Sequence, residues 1–128
     1  MKRDPSLEGC FGCGADNEIG LRLEFHWEGE DYVAPFTGQE CHQGYPGVVH
    51  GGIIASVLDE AMGRLLWEKR GGGPTRKLTV EYLAPLAPGE EAICRARIAQ
   101  KKGRAIFLEA QLLRDGEAVA VAKGTYII

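Results

Sequence analysis

From Gly51 to about Arg70 the chain carries apolar residues at helical spacing, and Gly71-Gly72-Gly73-Pro74 ends that pattern abruptly. No other segment reads as a long helix. The rest of the chain, C-terminal to that stop, breaks into extended pieces, roughly Thr75 to Leu83, Glu91 to Gln100 and Arg104 to Arg114, parted by Pro85, Pro88-Gly89 and Lys101-Lys102-Gly103. Asp115-Gly116 predicts a tight hairpin into a last strand from about Glu117 to Ile128. Upstream, Ile19 to Trp27 alternates, with Leu21, Leu23, Phe25 and Trp27 on one face, which predicts a half-buried strand. Asp31 to Phe36 is expected to pair with it across Glu28-Gly29-Glu30, Pro35 making that partner an edge strand or a short one. One long helix among five to six antiparallel strands buries its apolar stripe against one face of a curved sheet, an α+β arrangement.

A length of 128 residues supports one core, so a single domain over 1–128 is expected, with 1–18 as an N-terminal extension. Hydrophobic residues at 45% and charged ones at 26% fit a soluble globular chain. A formal charge of -3 gives no pull toward nucleic acid or an acidic membrane surface. The N-terminus lacks an apolar leader and no later run reaches a membrane span, so the cytoplasm is the expected location. There Cys10, Cys13, Cys41 and Cys94 should be thiols. Cys10-Phe11-Gly12-Cys13-Gly14 looks like half a zinc knuckle that Cys41 and His42 could complete. A structural zinc usually draws on two tight pairs, however, so a turn with inward-packed thiols is expected, with no metal and no cofactor.

The helix has two distinct faces. Ile54, Val57, Leu58, Ala61 and Leu65 fall at core spacing. Gly52, Ala55, Ser56, Asp59 and Gly63 form a second stripe, small residues around one acid, which lets a ligand or another backbone come close. Glu60 lies about 100° further round and is expected to make a surface or interface ion pair with Arg64. At the helix start the unpaired N–H groups of Gly51 and Gly52 carry the positive end of the helix dipole, suited to a carbonyl oxygen gaining charge. His50 is expected to orient that turn. Within one chain, the positive end and Asp59 should lie within one small-molecule diameter of each other.

The string from Gly47 to Gly63, with Cys10 to Asn17, Ile19-Gly20-Leu21 and Thr75 to Pro85, resembles the hotdog-fold thioesterases, in particular PaaI-like acyl-CoA thioesterases. That resemblance implies a hotdog fold, in which the sheet wraps the central helix. It implies a homodimer or dimer of dimers with active sites at the subunit interface, hydrolysing an acyl-CoA to free acid and CoA. Asp59 matches the catalytic base or nucleophile, Gly51 the backbone donor to the thioester carbonyl, and Thr75 a hydroxyl that positions the water or the carboxylate of the opposite subunit. His50 and Gly52 support the turn. Many members carry Asn where this chain has Gly44, and Gln43 is the expected substitute as second carbonyl donor. Lys101, Lys102, Gly103 and Arg104, with Arg76 and Lys77, are expected to meet the CoA phosphates, and Trp67, Met62 and Leu66 to line the acyl pocket. Two rivals remain. A hotdog hydratase or dehydratase pairs an upstream His with a helix Glu, but counting from His42 reaches Ser56. A non-catalytic acyl-CoA-binding domain would need neither an acid at position 59 nor glycines at the helix start.

Overall fold

The computed structural model describes residues 4–128; residues 1–3 of the expected extension lie outside the described part. Seven main elements run in chain order: β1 (His26–Glu28), β2 (Asp31–Thr37), α1 (Gly51–Arg70), β3 (Thr75–Tyr82), β4 (Glu91–Lys102), β5 (Ala105–Arg114) and β6 (Glu117–Ile127). The six strands make one antiparallel sheet in the order β1-β2-β4-β5-β6-β3. α1 packs across its inner face in the hotdog layout.

The ends of α1 are set by local chemistry. His50 caps the first turn through its side chain, and Gly71 takes the left-handed conformation (φ 78°), donating back to the last carbonyls. Lys69 and Arg70 sit in the final turn, where cations suit the dipole. Ile54, Val57, Leu58, Ala61 and Leu65 are all buried, as their spacing predicts. They meet inward residues of the strands such as Phe36, Cys94, Ala96, Leu108, Ala110 and Ala122 in one continuous cluster. Each fully buried Leu or Val contributes about 1.5–3 kcal/mol, so this seam accounts for the helix's hold on the sheet. The Asp115-Gly116 turn has both residues at positive φ, 51° and 81°, the pair of signs a type I′ hairpin demands. Among the described residues no helix is long and apolar enough to cross a membrane.

The first strand departs from expectation. Only His26–Glu28 pairs as β1, although Leu23 and Phe25 are buried on the anticipated face. The segment before it is fastened elsewhere: Leu21 N–H donates to Phe11 O and Leu23 N–H to Gly12 O, and Arg22 between them has φ 53°. Those bonds consume the ladder donors, so the alternation marks burial without a strand. Trp27 is partly exposed and packs at a tilt against Tyr32. β4 flanks β2 on one side along its length, but β1 ends opposite Val33, so from Ala34 on β2 has a free edge, as Pro35 suggested. Pro35 therefore lies beyond β1, where its missing N–H costs no ladder bond.

Candidate active site

Three elements converge on Asp59, which is half-buried on the small-residue stripe of α1. Thr75, the first residue of β3, donates from Oγ1 to Asp59 Oδ1 at 2.9 Å. Tyr126 on β6 donates from its hydroxyl to the same oxygen at 2.6 Å and lies 3.2 Å from the Asp59 carbonyl oxygen. Thr75 and Tyr126 are paired across the sheet, so one row of the ladder supplies both donors. Among the described residues Oδ2 receives no hydrogen bond, which leaves one carboxylate oxygen held and the other open. Burial, and then the Asp59 carboxylate, push the Tyr126 phenol pKa upward, so it stays protonated and donates. Thr75 thus reaches the acid of its own chain, the resemblance having implied that it positions the water or the carboxylate of the opposite subunit.

A β-bulge makes this possible. Register slips between Thr75 and Lys77, with Arg76 as the extra residue. Thr75 and Tyr82 are an odd number of residues apart, so a regular strand would aim them at opposite faces. The bulge restores parity, and both hydroxyls turn toward α1. Tyr82 donates to Gly51 O at 2.7 Å, bracing the helix start as Thr75 braces its third turn.

At that start, His50 Nδ1 accepts the Gly52 N–H at 2.8 Å, and His50 N–H donates to His42 O at 2.8 Å. The Gly52 donor is therefore occupied. Gly51 N–H has no acceptor among the described residues, and it heads the helix where the dipole is positive. Gly51 and Asp59 are separated by eight residues of continuous helix, a rise of about 12 Å. A carbonyl and its attacking atom sit only about 3–3.5 Å apart, so the two groups of one chain cannot serve the same thioester, contrary to the proximity expected from sequence.

The other expected residues occupy varied positions. Gln43 Oε1 accepts the Gly47 N–H at 2.9 Å, which ties its oxygen to the turn and leaves its amide nitrogen as the only donor end. A Cβ at Gly44 would sit 3.1 Å from His50 atoms, so the asparagine of the resembling family would press on the cap here. Lys101 and Lys102 are exposed at the β4–β5 turn, Gly103 has φ 61°, and Arg104 Nε donates to Ile128 O at 2.8 Å. Lys101 pairs with Ile106, Ile106 with Tyr126 and Tyr126 with Thr75, so this basic turn shares one end of the sheet with Asp59. Met62 and Leu66 are core residues, and Trp67 donates from Nε1 to Asp4. His42 Nδ1 accepts the Gln39 N–H and Ser56 donates to Gly52 O, so neither presents an acid–base pair to the helix stripe.

Glu60 is not a surface ion pair. Arg64 bonds Glu68 instead, at 2.9 Å, while Glu60 turns into the Cys10–Cys13 turn and accepts from Cys10 Sγ at 3.5 Å. Burial raises the pKa of both the Glu60 carboxyl and the Cys13 thiol. Cys41 and His42 stand apart from this cluster. A groove on the outer sheet face, lined by Arg97, Glu109 and Lys123 among others, lies on the side away from α1 and carries alternating charges along one ladder row.

Tyr126 escaped the sequence reading. Nothing near it in the chain marks it, and only its register opposite Thr75 brings it to Asp59. Tyr126→Phe is expected to cost about 1.5–3 kcal/mol, the worth of a hydrogen bond to a charged acceptor. A denaturant melt measures that loss, and a change within 0.5 kcal/mol, or about a third of the lower bound, would show that Tyr126 does not hold Asp59.

The thioesterase superfamily model matches residues 46–121, a span that opens at the turn before His50 and takes in Gly51, Asp59 and Thr75. A Xenopus laevis protein named acyl-coenzyme A thioesterase THEM4 is 30% identical over 83 residues, 65% of this chain and 37% of its own length. The chain thus spans well under half of that relative. Mouse thioesterase superfamily member 2 superposes with a TM-score of 0.79 at 20% identity, covering 100% of this chain and 98% of that one. A mutant of the phenylacetic acid degradation protein PaaI from Thermus thermophilus gives 0.75 at 23% identity, covering 97% and 98%. These two likenesses show the hotdog fold. With more than half its length, including the helix start and the braced acid, matched by the family model, the chain belongs to the thioesterase superfamily.

Proposed function

We propose that this chain hydrolyses acyl-CoA thioesters to a free acid and CoA, at sites each built from two copies. The observation that carries the reading is Asp59, with Oδ1 held by Thr75 and Tyr126 and Oδ2 open beside small residues. α1 runs alongside β3 in the opposite sense, Gly51 against Tyr82 and Asp59 against Thr75. β3 ends the sheet and has one free edge. A second copy adding its own β3 antiparallel to that edge brings its Tyr82 and Gly51 opposite this chain's Thr75 and Asp59, which closes the 12 Å gap estimated from about 1.5 Å of rise per residue.

In such a site the thioester oxygen accepts the Gly51 N–H of one copy. Asp59 Oδ2 of the other takes the proton of the attacking water or, in a covalent variant, attacks the carbonyl carbon itself. Charge gathers on the oxygen and is met by a donor that needs no reorientation. The thiolate then leaves without strong acid assistance, and in the covalent variant a water then cleaves the acyl–Asp59 anhydride to release the free acid. Lys101, Lys102 and Arg104, at the same sheet end as Asp59, are the proposed phosphate partners, and the amide nitrogen of Gln43 is the proposed second carbonyl donor. The names of the curated relatives support acyl-CoA as the substrate class.

The test is a thiol-release screen over short, long and aromatic acyl-CoAs on the folded protein, which should turn over at least one group. Tight binding without thiol release across the panel would replace this reading with a binding domain. Loss of conjugation from a 2-enoyl-CoA without thiol release would replace it with a hydratase.

A further inference from the structure

The N-terminal turn holds a donor cluster that thioester chemistry does not use. The sulfurs of Cys10 and Cys13 and a carboxylate oxygen of Glu60 lie within 4.8 Å of one another. A tetrahedral zinc with Zn–S near 2.3 Å and Zn–O near 2.1 Å places its donors about 3.5–3.8 Å apart, so modest side-chain rotation closes the set. The Cys10 to Glu60 separation is already 3.5 Å.

The backbone around the cluster is fastened rather than loose. Gly14 N–H donates to Cys10 O at 2.8 Å, Leu21 N–H to Phe11 O at 2.7 Å and Leu23 N–H to Gly12 O at 2.9 Å. Of the glycines of the Cys-Phe-Gly-Cys-Gly run, Gly14 is required by backbone contact, and any larger residue at Gly12 would displace the Glu60 carboxyl. A Cβ on Gly12 would come 2.3 Å from the Glu60 carboxyl, and one on Gly14 would come 2.2 Å from Glu8 O. The turn is therefore shaped to admit the Glu60 head group from the helix below. One helical turn on, Arg64 is only 4% exposed, with Nε and Nη1 unpartnered. Two thiolates and a carboxylate around a divalent ion leave one net negative charge, and the nearby Arg64 guanidinium, which gives only its Nη2 to Glu68, partly offsets it.

We propose that Cys10, Cys13 and Glu60 form a binding site for a divalent cation of the zinc class, tying the N-terminal turn to α1 one residue from Asp59. Thiolate ligands favour zinc over magnesium or calcium, and Glu60 supplies the third ligand that Cys41 and His42 do not. Loading replaces two thiol protons, released to solvent, with two metal–sulfur bonds. No electron moves, and the fourth position takes water or the second Glu60 oxygen. The site stands independently of the thioesterase reading.

The experiment uses the full chain, reduced and stripped with a chelator, titrated with Co2+ as a spectroscopic stand-in. One equivalent per chain should produce a sulfur-to-cobalt charge-transfer band and tetrahedral d–d bands, which Zn2+ abolishes by displacement. Cys10→Ser with Cys13→Ser should remove the charge-transfer band, Cys41→Ser should retain it, and Glu60→Gln should weaken binding about 10-fold or more. Bound Zn2+ should also protect Cys10 and Cys13 from alkylation while Cys41 reacts at its metal-free rate, a readout that needs no variant. Absence of a thiolate band in the wild-type protein would overturn the proposal. So would a band that survives loss of both cysteines, unprotected Cys10 and Cys13, or a Cys10–Cys13 disulfide forming without metal uptake.

Discussion

Asp59→Asn is expected to lower kcat/KM for thiol release by about 10²–10⁴-fold, the usual worth of a positioned base. The substitution isolates chemistry from structure. Thr75 and Tyr126 both donate to Oδ1, and an asparagine carbonyl accepts the same two bonds in the same place. The amide nitrogen is then directed to the position of Oδ2, where a proton acceptor becomes a donor. Volume and fold are preserved, so the thermal midpoint should stay close to that of the wild type, checked by circular dichroism on the sample used for kinetics. Wild-type turnover from a folded Asp59→Asn protein would remove Asp59 from the mechanism and the proposed site with it.

Gly51→Pro tests the other half. Proline is favoured at the first position of a helix, because the N–H it lacks has no partner within the helix. The preceding residue must be extended, and His50 already is, with φ -58° and ψ 135°. A Cβ at Gly51 meets the Tyr82 ring end at 3.3 Å, a tight contact with an exposed side chain that can shift. The helix should therefore survive while its one uncommitted donor disappears. Loss of a single donor to a developing oxyanion costs about 10²–10³ in kcat, with substrate binding less affected. Gly51→Ala is the control, since it adds the same first carbon and keeps the N–H. Equal activity in the two variants would show that this N–H does not meet the carbonyl.

The helix, its apolar stripe and the hairpin turn were legible because each depends on short-range pattern. Ile54 to Leu65 repeat at the helical period, Gly71 ends the helix by its own conformation, and Asp115-Gly116 accept positive φ. The acid at position 59 and the glycines before it could be singled out for the same reason. The hidden features depend on register and long-range bonding. Leu21 and Leu23 alternate like a strand yet bond to the Cys10–Gly14 turn, so pattern and ladder part company there. Glu60 stands four residues from Arg64, the spacing of a helical ion pair, but Gly12 opens space on the other side. Tyr126 reaches Asp59 only through the pairing of β6 with β3.

Arg76 gives the chain a constraint on number rather than kind. Its side chain takes no part in the bonds to Asp59 or Gly51, so exchange for other residues should leave those bonds in place. Removing the residue outright is a different event: the strand would become regular, and either Thr75 or Tyr82 would turn to the outer face while the remaining ladder stayed paired. Between Thr75 and Tyr82, whose letters are fixed by their bonds, the letter at position 76 is free to drift, but the count of letters is inherited together with the chemistry.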